Sequence, residues 1–127
     1  MNILIADDDK LFTHLAASRL KAKGCRVEIA HDAMQAVMYA VRSSPDVIVL
    51  DINMPGGTGF GALTTLKRST RTEPIPVLVV SASTSPGDEQ KALGLGAAKF
   101  LRKPLDPEAL YAALLRATGA AEPVPVA

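Results

Sequence analysis

A chain of 127 residues has the length of one ordinary domain, and its 48% hydrophobic content suffices for a buried core. Its 14 basic and 13 acidic residues are mixed along the chain to a net charge of +1, which excludes a basic nucleic-acid face and an acidic disordered tail. A single cysteine, Cys25, excludes an internal disulfide framework, and the N-terminus lacks the basic start and long apolar stretch of a signal peptide. With no apolar run near the roughly 20 residues that span a bilayer, a cytoplasmic protein without membrane insertion is expected.

Five short aliphatic or β-branched runs have strand character: residues 2–6 (NILIA), 26–30 (RVEIA), 46–50 (DVIVL), 76–80 (PVLVV) and 98–102 (AKFLR). After the first, Leu11, Phe12, Leu15 and Ala16 repeat at helical spacing, and Gly24 suits the end of that helix. After the second, Asp32 with Gln35 forms an N-cap pair ahead of Ala33, Ala36, Val37, Ala40 and Val41. The third is followed by a glycine-rich stretch over 56–61, and the fourth by a second cap pair, Ser85 with Asp88, with Pro86 at a first-turn position. Past the fifth, Pro107 opens a helix carrying Leu110, Ala113, Leu114 and Ala117. Alternating strands and helices imply a parallel sheet covered on both faces, a doubly wound α/β fold over residues 1–117. Residues 118–127, aperiodic and with two prolines, read as a flexible tail or truncated linker.

Ligands of such sheets bind beyond the carboxyl ends of the strands. Asp7, Asp8 and Asp9 follow the first strand, Asp51 the third, Ser81 the fourth, and Lys103 with Pro104 the fifth, so these residues converge on one edge. Adjacent carboxylates repel unless a cation neutralises them, and a hard divalent ion such as Mg2+ suits Asp7 or Asp8 with Asp51. His14 and His31 stand alone and receive no metal role, and Cys25 reads as a packing residue. A carboxylate beside a metal, a hydroxyl and a lysine can accept a phosphoryl group as an acyl phosphate.

The segments IADDDK, VIVLDINMPGGTGF, PVLVVSAS and GAAKFLRKP, in this order and spacing, resemble the receiver domain of two-component response regulators from residue 2 to about 117. The resemblance implies a flavodoxin-like sheet of strand order 2-1-3-4-5 with five helices. It makes Asp51 the acceptor of a phosphoryl group from a sensor histidine kinase or histidine phosphotransfer protein. It places Mg2+ on Asp7, Asp8, Asp51 and the backbone carbonyl of Asn53. Ser81 becomes the switch hydroxyl, Lys103 the lysine that meets the phosphoryl charge, and Phe100 the aromatic that changes rotamer, with a cis Lys103–Pro104 peptide. Asp9 matches a variable position and reads better as the N-cap of the first helix. The chain departs from the family pattern at Gly57-Thr58-Gly59, while Asn53 and Ser83 match positions that modulate phosphate lifetime. The family also implies a phosphorylation-dependent homodimer through the last two strand-helix units, where Lys91, Lys99 and Arg102 are candidates, and no direct DNA binding. The expected role is that of a signalling domain catalysing only its own phosphotransfer and dephosphorylation.

Three rivals bear on the same residues. Gly57 to Ala62 satisfies a dinucleotide-binding pattern, but in the third strand-helix unit rather than the first and without an acidic residue closing the next strand. Asp7-x-Asp9 also resembles haloacid dehalogenase-type phosphatases, which would make Asp7 the nucleophile and require a further acidic pair that neither Asp106 nor Glu108 fits. A degenerate receiver acting as a constitutive interaction module is disfavoured because every phosphorylation residue is present.

Overall fold

The computed structural model describes residues 1–54, 59–82 and 85–120. Five strands, β1 (Asn2–Ala6), β2 (Arg26–Ala30), β3 (Val47–Asp51), β4 (Val77–Ser81) and β5 (Lys99–Arg102), pair in parallel in the order β2-β1-β3-β4-β5. The alternating helices are α1 (Lys10–Ala22), α2 (Ala33–Ser43), α3 (Gly59–Arg68), α4 (Asp88–Gly94) and α5 (Pro107–Thr118).

Period-two alternation of the strands divides the core in two. Leu4, Ile48, Leu50, Val77 and Val79 pack against Ala36, Ala40, Leu63 and Leu66 on one face. Ile3, Ile5, Val47, Val49 and Val80 pack against Ala16, Leu20, Leu110 and Leu114 on the other. Both faces of β3 and β4 are buried throughout, as a central parallel strand requires.

The helix starts follow their caps. Asp9 accepts the Phe12 N–H at 3.0 Å and Asp32 accepts the Gln35 N–H at 2.8 Å, while the Gln35 side chain accepts the His31 N–H at 2.8 Å. Asp106 caps α5, with Pro107 in its first turn, and Gly24, at φ +86°, follows the end of α1.

The structure corrects the sequence reading in three places. The third and fourth strands begin and end one residue later than read and the fifth begins one later, at Lys99; Asp51 pairs with Val80 and Ser81 with Arg102, so these two polar residues close their strands rather than follow them. The N-cap of α4 is Gly87 in a left-handed conformation, not Ser85, and Pro86 lies in the turn before the helix, where the Ser85 carbonyl accepts the Asp88 N–H at 3.4 Å. On α1 the inward stripe is Thr13, Ala16, Ala17 and Leu20, whose small members allow close approach to the sheet, so Leu11 and Leu15 remain 69% and 50% exposed.

Candidate functional site

The site lies along the carboxyl edge of the sheet. The Asp7 N–H donates to the Ala30 carbonyl at 3.1 Å, extending the pairing with β2 by one residue and drawing the carboxylate inward until it is 1% exposed. Its Oδ1 accepts the Asp9 N–H at 2.9 Å, the turn typical of aspartate. Asp51, also buried, accepts the Asn53 N–H on Oδ1 at 3.0 Å. The Asn53 amide reaches across to donate to the buried Ser81 hydroxyl at 3.3 Å.

Lys103 joins these pieces. Its backbone N–H donates to the Ser81 carbonyl at 2.9 Å, anchoring the residue just past β5, where the Lys103–Pro104 peptide is cis. The ammonium lies 2.7 Å from Asp7 Oδ2, 3.6 Å from Asp9 Oδ2 and 3.8 Å from Asp51 Oδ2. The Phe12 ring centroid is 4.5 Å from the same ammonium. A mostly buried ammonium among three carboxylates holds the cluster together, since two buried like charges with no cation would be strongly destabilising.

The electrostatics carry the mark of this crowding. Burial pushes the Asp7 carboxyl up to about 6; its ion pair with Lys103 and the Asp9 N–H oppose the rise, and the charge of Asp51 adds to it. Burial works against the Lys103 charge, but the contact with Asp7 and the charges of Asp7, Asp51 and Asp9 together outweigh it and hold the ammonium above its ordinary value.

Carboxylate oxygens of Asp7, Asp8 and Asp51 lie within 4.8 Å of one another, so the three residues can share a metal ion. Asp7 Oδ2 is buried and is met by no donor other than the Lys103 ammonium at 2.7 Å, so the oxygen already serves a cation. The donors are all hard oxygens, the chemistry of Mg2+ or Ca2+ rather than of zinc.

The structure thus brings together Asp7, Asp8, Asp51, Asn53, Ser81 and Lys103. Phe100 sits apart, 7% exposed in β5 within the core that includes Ala92 and Ala97, with the Arg102 guanidinium 5.2 Å from its ring centroid. Gly57, Thr58 and Ser83 lie outside the described residues. Two features escaped the sequence reading: the Phe12 ring beside Lys103, and the second contact of Asp9, whose capping role alone was legible. The only signal was the three-residue spacing from Asp9 to Phe12, which orients the ring but says nothing of Lys103.

Gly59 explains one element of the departure after Asp51. A Cβ there would lie 2.3 Å from the Ile52 Cα and 2.4 Å from the Asp51 carbonyl oxygen, so the first turn of α3 sits directly on the backbone that carries Asp51. Beside the carboxylates opens a groove of about 370 Å³, bordered by Asp9, Leu11, Phe12, Leu15, Lys103 and Leu105. His14 and His31 are exposed, and Cys25 is buried. Asp106 is engaged in capping and Glu108 pairs with Lys23 at 3.0 Å, so neither joins the carboxylate cluster that a phosphatase would need.

The response regulator receiver domain family matches residues 3–115. The response regulator PleD of Caulobacter vibrioides is 38% identical over 110 residues, covering 87% of this chain but 24% of PleD. The chain spans about half or less of the curated relatives it matches. Among solved structures, the chemotaxis response regulator CheY4 of Vibrio cholerae superposes with a TM-score of 0.84 at 32% identity, over 91% of this chain and 97% of CheY4. The receiver domain of a Pseudomonas aeruginosa sensor histidine kinase, with a magnesium ion coordinated in its active site cleft, superposes with a TM-score of 0.85 at 27% identity, over 94% of this chain and 98% of that one. With the fold, the strand order and the family match in agreement, the chain belongs to the response regulator receiver domains of two-component signalling.

Proposed function

We propose that Asp51 is the phosphoacceptor of a switch charged by a sensor histidine kinase or histidine phosphotransfer protein. A carboxylate oxygen of Asp51 attacks the phosphorus of a phosphohistidine. The P–N bond breaks with its electron pair going to the imidazole, which takes up a proton, and an acyl phosphate forms. Mg2+ held by Asp7, Asp8, Asp51 and the Asn53 carbonyl would neutralise the developing phosphoryl charge. Lys103 supplies a second positive charge, and the Ser81 hydroxyl donates to a phosphoryl oxygen once it leaves Asn53. The observation that carries this reading is the Lys103 ammonium lodged between Asp7 and Asp51 at the carboxyl edge of the sheet.

The groove bordered by Asp9 and Lys103 supports docking of the phosphodonor there, since it offers the exposed side chains of Leu11 and Leu15 beside the lysine that faces Asp51. Movement of Ser81 and Lys103 toward the phosphoryl group would alter β4, β5 and the helices after them, with Phe100 as the buried aromatic that responds. Lys91, Lys99 and Arg102 are exposed on those units and are our candidates for a phosphorylation-dependent homodimer. We take residues 1–117 as the receiver and 118–127 as a tail or linker, acting in the cytoplasm without direct DNA contact. No helix among the described residues is long and apolar enough to cross a membrane.

Intact mass after incubation with acetyl phosphate tests the reading. A labile, Mg2+-dependent phosphoryl adduct on the wild type that disappears in Asp51→Asn is the expected result. An adduct retained in Asp51→Asn and abolished by Asp7→Asn would move the nucleophile to Asp7. No adduct on folded wild type supplied with Mg2+ would leave a constitutive interaction module.

A further inference from the structure

Lys103 is shared among three carboxylates, and one of them has no place in the metal set. Asp9 divides its two oxygens: Oδ1 accepts the Phe12 N–H at 3.0 Å, and Oδ2 faces the Lys103 ammonium at 3.6 Å. The cap holds the carboxylate on the rigid first turn of α1, so the contact with Lys103 needs little further ordering of the aspartate side chain. The Phe12 ring, positioned by the same turn, lies 4.5 Å from the same ammonium. Asp7 and Asp9 are therefore nearer to Lys103 than Asp51 is.

We infer that Asp9 is a positioning residue: it retains the Lys103 ammonium in the resting ion network and so opposes its transfer to a phosphoryl group on Asp51. This rests on the phosphoacceptor reading of Asp51. Whatever phosphoryl contact Lys103 gains is offset by the loss of its contact with Asp9, and removing the Asp9 charge shifts the switch toward its phosphoryl-bound arrangement. The same side chain ties the lysine to the turn that borders the groove, so the choice Lys103 makes is felt at the start of α1.

Asparagine caps a helix as well as aspartate does, which makes Asp9→Asn a clean perturbation: the cap stays and the charge goes. Beryllofluoride, which binds a carboxylate as a phosphoryl mimic, is titrated with saturating Mg2+ into the full chain and followed by 19F NMR. Four proteins complete a double-mutant cycle: wild type, Asp9→Asn, Lys103→Met and the double variant, with urea midpoints recorded alongside. Asp9→Asn is expected to lower the ligand-free urea midpoint only slightly, as loss of one half-exposed ion pair requires, and to bind the mimic roughly two- to fivefold tighter. In the Lys103→Met background the gain should vanish.

An equal gain in both backgrounds would show that Asp9 acts on the anion by its charge alone and would overturn the positioning role. No gain from Asp9→Asn in the protein that retains its lysine at 103 would overturn it as well. Failure of folded wild type to bind the mimic at all would instead remove the phosphoacceptor reading on which the inference stands.

Discussion

Replacing Gly59 by alanine puts a methyl group where the backbone of Asp51 and Ile52 already lies, at 2.3 Å from the Ile52 Cα and 2.4 Å from the Asp51 carbonyl oxygen. Carbon atoms in contact prefer about 3.5–4.0 Å, so the start of α3 must retreat by about 1 Å or more, with no flexible side chain to give way. Overpacking of this kind costs about 1–3 kcal/mol. Retreat also stretches the 3.0 Å bond from the Gly59 N–H to the Ile52 carbonyl, worth about 1 kcal/mol, whereas alanine regains at most about 1 kcal/mol of helix propensity. The net expectation is a loss of about 2 kcal/mol, read as a lower urea midpoint at unchanged slope. Phosphorylation by acetyl phosphate should slow in the same variant, because the strained backbone carries Asp51, the proposed acceptor. Gly94 provides the control: it sits in α4 with open space around its Cα, and Gly94→Ala should leave stability unchanged or raise it by up to about 1 kcal/mol. A Gly59→Ala protein within about 0.5 kcal/mol of wild type, phosphorylated at the wild-type rate, would refute the close seating of α3 on Asp51.

Three other outcomes follow from the same structure. Because the folded Asp7 carboxyl titrates near 6 rather than 3.8, its contribution to stability is fully present below about pH 4 and is lost as pH rises through 6; in metal-free buffer urea unfolding should register a loss on the order of 3 kcal/mol that Asp7→Asn lacks. Mg2+ at ten times its dissociation constant should stabilise wild type by about 1.4 kcal/mol in thermal melts, and Asp7→Asn should lose most of that shift. Thr72, 1% exposed, donates to the Leu66 carbonyl at 2.6 Å, so Thr72→Val should cost about 1–2 kcal/mol in urea unfolding while leaving the phosphorylation rate unchanged.

Much of the fold was legible because local chemistry and global pattern agree. Asp9, Asp32 and Asp106 announce helix starts through bonds to N–H groups two or three residues on, and the aliphatic runs announce buried strands. The misread features are those decided at a distance. Whether Asp51 and Ser81 belong to their strands depends on Val80 and Arg102, in other strands altogether. Leu11 and Leu15 share the spacing of a core stripe, yet Ala16 and Ala17 won the sheet-facing side, a choice made by the shape of the sheet rather than by hydrophobicity. The site residues could be gathered at one edge from topology alone, but the division of Lys103 among Asp7, Asp9 and Asp51 depends on side-chain placement that no spacing encodes.

The position of Lys103 just past the last strand has a consequence for how the chain matures. During synthesis β1, β3 and β4 are all made before it, so both buried carboxylates precede the ammonium that balances them. A nascent chain that stops short of residue 103 carries an acidic pocket without its cation, a less stable assembly with a weakened hold on any phosphoryl group. The charge balance of the site is therefore complete only in a chain whose β5 is docked against β4, with the Lys103 backbone N–H donating to the Ser81 carbonyl.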